Sequence, residues 1–104
     1  MKTILWWILA GSKGGINRAR IISDLHTRPY NANQLTERLD LDYKTVRHHL
    51  KVLVDNGIIE SNAGDKYGAM FFLTREMEQN YALFESIWNK VNKDQMEESR
   101  QGGK

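Results

Sequence analysis

The chain has 104 residues, of which 40% are apolar and 27% are charged. This is the composition of one small globular domain, too apolar for a disordered chain and too polar for a membrane protein. It contains no cysteine, which excludes disulfides, thiolate metal sites, iron–sulfur clusters and cysteine nucleophiles. The formal net charge of +2 identifies no partner by itself, so the positions of the charges matter more.

An apolar run opens the chain. Residues 4–10 (ILWWILA) precede a glycine-rich segment, residues 11–15 (GSKGG). Seven apolar residues cannot span a bilayer, which needs about 20, and they lie at the lower limit for a signal-peptide core. We expect residues 1–15 to form a short buried helix and a hinge. The alternative is a signal peptide cleaved near Ala10. No other targeting segment is visible, so the cytoplasm is the expected location.

The next two predicted helices are delimited by local signals. The first covers 16–28, with Asn17 as the predicted N-cap, and ends before Pro29 because proline disfavours the helical conformation of the residue before it. The second begins at Asn31, where the spacing to Gln34 resembles a capping box.

A third helix is predicted over residues 42–56. Asp42 can cap its first turn, and Gly57 can take the left-handed conformation that ends it. Its buried face is defined by apolar residues at spacings of four and three, namely Val46, Leu50 and Leu53.

The remaining elements are a hairpin and a last helix. Two apolar pieces, 58–60 and 69–73, flank a segment rich in turn formers, which predicts a β-hairpin. A C-terminal helix follows over residues 74–96, with Thr74 as its N-cap. Residues 97–104 contain no apolar residue and are expected to be a disordered tail.

These elements predict a mostly α fold with a small β-hairpin (α+β). The turn between Leu39 and Asp42 is very short, which forces a steep crossing of the second and third helices. This is the geometry of a helix-turn-helix, whose second helix can enter the DNA major groove. Residues 16–73 are therefore predicted to form a winged helix-turn-helix domain with additional N- and C-terminal helices.

The outer side of the third helix is basic and polar. No acidic residue occurs between Tyr43 and Val54. Opposite the apolar face lie the side chains suited to phosphates and base edges: Lys44, Arg47, His48 and Lys51. The alternative interpretation is an ordinary solvated helix face. Lys66 and Tyr67 at the hairpin tip can reach the DNA backbone, or they belong to an ordinary polar turn.

The sequence predicts no metal, cofactor or catalytic site. His48 and His49 are adjacent and point about 100° apart on a helix, so they cannot chelate one ion. His49 is expected to be a hydrogen-bonded histidine at the edge of the core. No nucleophile–base pair is recognisable, so the chain is not expected to be an enzyme.

Two segments resemble a known family. Residues 42–53 (DYKTVRHHLKVL), followed by residues 55–59 (DNGII), resemble the recognition helix and first wing strand of ArsR-type winged-helix transcriptional regulators, most of all small archaeal members. Residues 31–39 (NANQLTERL) resemble the supporting helix of that family. The resemblance implies a homodimer that binds pseudo-palindromic operator DNA and usually represses.

Carried over by position, the resemblance assigns DNA contacts to three segments. The recognition helix would contribute Tyr43, Lys44, Thr45, Arg47 and His48, the wing Lys66 and Tyr67, and the start of the supporting helix Asn33 and Gln34. Two features depart from the family pattern. The cysteine pairs with which many members sense metals are missing, so the effector is unassigned. Asp40 stands in the turn where the family often has glycine.

The N-terminal run and the last helix carry more apolar surface than so small a domain easily buries. Exposed patches of this kind mark interfaces, so the two segments are predicted to pack together across a two-fold axis. The predicted interface residues are Leu5, Trp6, Leu9, Met77, Tyr81, Phe84, Trp88 and Val91. In the alternative, Trp6, Trp7 and Trp88 complete the core of a single chain.

The sequence thus favours a DNA-binding transcriptional regulator, most simply a repressor, acting on double-stranded DNA as a homodimer. The recognition helix (42–56) is expected in the major groove and the wing (60–70) on the backbone. One alternative is a winged-helix module that binds protein or RNA without operator DNA. Another is a membrane-associated or secreted protein led by the N-terminal run.

Overall fold

The computed structural model describes residues 1–11 and 13–102, with side chains described as far as residue 93. Ser12, in the predicted hinge, and Gly103 and Lys104, in the predicted tail, lie outside the described residues. The elements in chain order are α1 (Lys2–Ala10), α2 (Gly15–Thr27), β1 (Tyr30–Asn31), α3 (Ala32–Leu39), α4 (Tyr43–Asp55), β2 (Ile59–Ser61), β3 (Met70–Leu73), α5 (Arg75–Gln79) and α6 (Tyr81–Gly102). The predicted fold class, mostly α with a small β-sheet, is confirmed.

Helix α2 begins earlier than predicted. Gly14 occupies its N-cap, and the side chain of Asn17 lies inside the helix, where its Oδ1 accepts a hydrogen bond from Arg20 Nη1 at 3.1 Å. The prediction of Asn17 as N-cap is therefore wrong. The reason is tertiary: a Cβ on Gly15 would overlap the backbone carbonyl oxygen of Leu9. Glycine lets the start of α2 approach the end of α1, a contact that the sequence pattern does not report.

The caps around the helix-turn-helix are those predicted. Asn31 Oδ1 accepts from the Gln34 amide, and Gln34 Oε1 accepts from the Asn31 amide, both at 2.8 Å. Asp42 Oδ2 accepts from the Thr45 amide at 3.1 Å. Between the helices, Asp40 has φ 54° and ψ 51°, the left-handed conformation that aspartate tolerates better than most residues. These local hydrogen bonds fix where α3 and α4 begin, and Asp40 ends α3.

The predicted hairpin is one part of a three-stranded antiparallel sheet. Its order is β1-β3-β2, with Tyr30 opposite Phe71 and Ile59 opposite Leu73. Strand β1 was not predicted, because two residues are too short to show an alternating pattern. It follows Pro29 directly. Its pairing with β3 connects the start of α3 to the wing.

The predicted last helix is broken. Thr74 Oγ1 accepts from the Met77 amide at 3.1 Å, which confirms Thr74 as the N-cap. However, α5 ends before Asn80, whose side-chain Nδ2 donates to the Glu76 carbonyl oxygen at 2.8 Å. Asparagine side chains compete in this way with the hydrogen bonds of a helix. Helix α6 then runs to Gly102, so the predicted helix end at residue 96 is not observed.

Five of the eight predicted interface residues lie in the core of the single chain. Between 0 and 5% of their surface is exposed, and they are Leu5, Leu9, Met77, Phe84 and Val91. Their assignment to an exposed face between subunits is wrong, because α1 packs directly on α6 of the same chain. Trp6, Tyr81 and Trp88 pack against this core and remain partly exposed. Trp7 does not complete the core, since 52% of its surface is exposed.

Helices α1 to α4 and the sheet close around the same core, which includes Ile8, Ile21, Leu35, Leu50 and Ile59. Each contributes one apolar face, the arrangement that lets a small domain bury enough surface to fold. Within the described part of the chain, no helix is both long and apolar enough to cross a membrane.

The contact between α1 and α2 predicts the effect of a single methyl group. We expect Gly15→Ala to destabilise the fold by about 1–3 kcal/mol, because the added Cβ meets the Leu9 carbonyl, a backbone atom that cannot rotate away. Urea unfolding followed by circular dichroism measures this. Gly11→Ala is the comparison for a milder contact, since a Cβ there would lie 3.0 Å from the Trp7 carbonyl oxygen, and it should cost less than Gly15→Ala. Equal stability of Gly15→Ala and the parent would contradict the packing described.

Candidate nucleic-acid interface

The outer face of α4 is open to solvent. Its predicted contact residues Tyr43, Lys44, Thr45, His48 and Lys51 are all exposed. The opposite face is closed, because Val46, Leu50 and Leu53 have at most 1% of their surface exposed. One helix thus serves both core and surface, and neither α1 nor α6 covers its basic side.

Two of the cationic side chains on this face are unpaired. Lys44 and His48 form no ion pair within the described residues. Lys51 Nζ lies 3.0 Å from Asp55 Oδ2, one helical turn away, and both side chains are exposed. Exposed pairs at this spacing contribute only about 0.3–0.5 kcal/mol. Lys51 can therefore exchange Asp55 for a phosphate at little cost.

Arg47 connects α4 to the wing, the segment from residue 60 to residue 70. Its guanidinium Nη2 donates to the backbone carbonyl oxygen of Asp65 at 3.3 Å, and the side chain is half-buried. A guanidinium has five N–H donors, so this single bond leaves others for a ligand. The contact holds the wing tip beside the basic face of α4.

The wing tip also contacts the start of α3. Tyr67 is 81% exposed, and its hydroxyl oxygen accepts a hydrogen bond from Asn33 Nδ2 at 2.8 Å. Lys66 is exposed next to it. Gly64 and Gly68 have φ of 60° and 81°, conformations open to glycine and strained for most residues. The structure thus brings three predicted contacts together, two from the wing and one from α3.

Gln34 differs from the other predicted contact residues. It is half-buried, and its side-chain oxygen is held in the capping box. Its main role is to start α3, and only the amide nitrogen of the side chain is left to face a ligand.

A groove of about 760 Å³ separates α4 from the wing. Its floor is apolar, with Leu50 and Phe71, and Val54 forms part of its wall and is 40% exposed. Sequence reasoning missed Val54, because it treated α4 as basic outside and apolar inside. Apart from α4 residues already named, the groove is lined by Glu60, Ser61, Gly64 and Asp65. Its rim carries the basic residues of α4 together with the acidic Asp55, Glu60 and Asp65.

His49 is the buried histidine that the sequence predicts. Only 6% of its surface is exposed, and its Nδ1 lies 3.4 Å from Arg18 Nη1. Burial, then the charges of Arg18 and His48, lower the pKa of His49. The rings of His48 and His49 are 5.8 Å apart and tilted, and no group of three potential ligands in the described residues is placed to hold a metal ion.

Comparison with known proteins agrees with this geometry. Residues 17–61 match the family described as "Bacterial regulatory protein, arsR family". Over this stretch the chain is similar to the DNA-binding domain of that family. The match spans α2 through β2 and includes the whole of α3 and α4. Because this family consists of transcriptional regulators, the prediction that the chain is not an enzyme is confirmed.

Solved structures share the fold of this ArsR-type domain. A MarR transcriptional regulator from Methanosarcina mazei Go1 is 16% identical with a TM-score of 0.66, over 92% of this chain and 71% of that one. A transcriptional regulator homologue from Pyrococcus horikoshii OT3 is 21% identical with a TM-score of 0.64, over 88% of this chain and 96% of that one. ZitR from Lactococcus lactis, as a double mutant, is 17% identical with a TM-score of 0.61, over 83% of this chain.

The relationship to these proteins is one of fold. The chain spans 60% of the ZitR chain and 57% of a Staphylococcus aureus MarR chain. A search among curated proteins found no significant match. The particular DNA, partners and sign of regulation therefore have to be argued from the residues themselves.

Proposed function

We propose that this chain is a sequence-specific transcriptional regulator that binds double-stranded DNA, with α4 in the major groove and the wing along the backbone. The observation that carries the proposal is the exposed, cationic outer face of α4 next to the wing. Lys44, His48 and Lys51 on this face are exposed to solvent, while the opposite face of α4 is buried in the core. This placement supports insertion of α4 without any rearrangement of the fold.

The side chains divide by chemistry. Lys44 and Lys51 are point charges suited to phosphates, whereas Arg47 can bind guanine through two parallel hydrogen bonds. Tyr43 and Thr45 lie in the first turn of α4. In a recognition helix, the N-terminal residues are the ones that contact base edges. We assign Lys66 and Tyr67 to the sugar–phosphate backbone, because both are exposed on the wing tip and neither lines the groove.

The role of the basic face predicts how binding responds to salt. Lys44→Gln should lower the affinity for a DNA duplex and reduce the slope of log affinity against log salt by about one, because one fewer counterion is displaced from DNA. Fluorescence anisotropy of a labelled duplex over a salt series measures both quantities. The matched control is Lys93→Gln on α6, which removes the same charge from an exposed position.

The control should bind with the slope of the parent. Equal slopes for all three proteins would place the DNA contact elsewhere. Substituting Lys44 and Arg47 together by glutamate should abolish binding while circular dichroism shows an intact fold, and a double variant that still binds like the parent would contradict the site.

We further infer a homodimer, through a surface that differs from the predicted one. Helix α1 has two apolar faces, of which Leu5 and Leu9 occupy the buried one. Ile4 and Trp7, one turn apart, lie on the other and are 37% and 52% exposed. Exposed apolar surface of this kind is typical of interfaces. Together with the partly exposed Trp6 and Trp88, this face supports a two-fold dimer that presents two α4 helices to major grooves about 34 Å apart.

The inferred dimer predicts a change in mass. Trp7→Glu should convert a dimer to a monomer in sedimentation equilibrium, because it places a charge where apolar surfaces meet, and it should weaken duplex binding. Since Trp7 lies half in water in the single chain, the variant should remain folded. Trp7→Phe keeps the apolar surface and should remain dimeric. A parent that sediments as a monomer at high concentration would contradict the inference.

Repression is the sign of regulation that a bound dimer achieves most simply, by covering a promoter. Selection of bound duplexes from a random DNA pool should yield a motif with two-fold symmetry, and transcription in vitro from a promoter containing that motif should fall when the protein is added. A pool without an enriched motif would favour a protein- or RNA-binding module instead. Increased transcription would identify an activator.

A further inference from the structure

Two basic side chains are buried among residues 1–11 and 13–93. Arg18 on α2 has 4% of its surface exposed, and His49 on α4 has 6%. Buried ionisable groups are rare because removing a charge from water is costly. Neither residue belongs to the exposed DNA-binding face, yet His49 follows His48 of that face directly in sequence.

The guanidinium of Arg18 connects two helices. Its Nε donates to the carbonyl oxygen of Ile8 at 3.0 Å, in the last turn of α1. Its Nη1 lies 3.4 Å from Nδ1 of His49, on the recognition helix. A side chain at position 14 would overlap both the His49 ring and the guanidinium, so Gly14 supplies the space that this contact occupies.

The contact requires a neutral His49. A guanidinium has donors and no acceptor, so Nδ1 of His49 has to accept, with the proton of the ring on Nε2. A protonated imidazole has donors on both nitrogens, and it would place a second positive charge against Arg18 in a buried site. The ionisable groups that act on His49 are Arg18 from α2 and His48 from α4, and both oppose its protonation.

We propose that Arg18 and neutral His49 are positioning residues that fasten the end of α1 to the recognition helix, and that protonation of His49 loosens the last turn of α1. The proposal rests on the proposed function where it concerns DNA: loosening of α1 displaces Trp7 in the inferred dimer interface and so lowers affinity for a duplex. The fastening of α1 itself does not depend on DNA.

The sign of the pH dependence follows from the chemistry. Burial and the neighbouring cations lower the pKa of His49 from the ordinary 6.5. The unfolded chain therefore binds a proton that the folded chain resists, and the contribution of His49 to stability is complete above about pH 6.5 and is lost as the pH falls below it. At neutral pH α1 is fastened.

Amide hydrogen exchange of α1 tests the fastening without DNA. In the parent, exchange of the Leu5–Leu9 amides, corrected for intrinsic rates, should accelerate severalfold as the pH falls from about 7.5 to about 5. His49→Asn keeps an oxygen acceptor near the position of Nδ1 but does not titrate, so its α1 exchange should stay constant. His26→Asn is the matched control. His26 stacks on Tyr81 and pairs with Glu78, away from α1, so this variant should respond like the parent.

The unmodified chain supplies a second measurement. The NMR titration midpoint of the His49 ring should coincide with the midpoint of the α1 exchange, whatever the stability of the variants. Different midpoints, acceleration in His49→Asn equal to that of the parent, or a response abolished by His26→Asn would each overturn the proposal.

Duplex binding provides the functional readout. With a labelled mixed-sequence duplex as the probe, the affinity of His49→Asn relative to the parent should be constant above about pH 7 and should rise severalfold below it. The ratio compares two proteins that both retain His48. Failure of either protein to bind duplex at any pH contradicts the proposed function, whereas a flat ratio between two binding proteins overturns the coupling of α1 to DNA.

Discussion

The structure depends on the packing of helix α4, which contributes apolar residues to the core and basic residues to the surface. Helix α4 buries Val46, Leu50 and Leu53 almost completely, and every contact that holds these residues also sets the direction of the basic side chains on the opposite face. If a recognition helix moved relative to the core, its side chains would lose the geometry of paired hydrogen bonds to a base. Such pairs tolerate only small displacements. The buried apolar face of α4 is therefore as important to the proposed interface as Lys44 or His48.

Two hydrogen bonds among the described residues join the wing tip to α4 and α3, and each involves a residue that we assign to DNA. Arg47 donates to the carbonyl of Asp65, and Asn33 donates to the hydroxyl of Tyr67. Exposed hydrogen bonds of this kind have a small net free energy, so they position the wing tip in the free protein without fixing it. Phosphate oxygens can replace the acceptors at little cost, since each bond lost to the protein is regained to the ligand.

Local chemistry is what the sequence reports reliably. The capping box at Asn31, the cap at Asp42 and the left-handed Asp40 each involve residues within a few positions of one another. The family match over residues 17–61 covers the same stretch, and the exposed face of α4 follows from its periodicity alone. Of the predicted contact residues on that helix, Tyr43, Lys44, Thr45, His48 and Lys51 are exposed, and Arg47 is half-buried.

The errors arise where distant segments meet. Whether Gly15 is a hinge or a point of close approach depends on Leu9 and the path of α1, and strand β1 exists only because β3 lies beside it. The largest error concerns the apolar faces of α1 and the last helix. Their amount of apolar surface was evident, but whether they cover each other within a chain or between chains is a question of topology. Ile4 and Trp7 are exposed in the single chain, and Trp6 and Trp88 are partly exposed beside them.

Helix α1 is where these arguments converge. A nine-residue helix is marginal on its own in water, so its structure relies on what it touches. Its buried face packs on α6, and the Ile8 carbonyl, one of the last-turn acceptors left unpaired by helix geometry, receives the buried guanidinium of Arg18. That guanidinium also approaches His49 on α4. The proposed proton-dependent contact therefore acts at the last turn of α1, while Leu5, Ile8 and Leu9 remain buried in the core, so loosening of α1 is the expected response to protonation of His49.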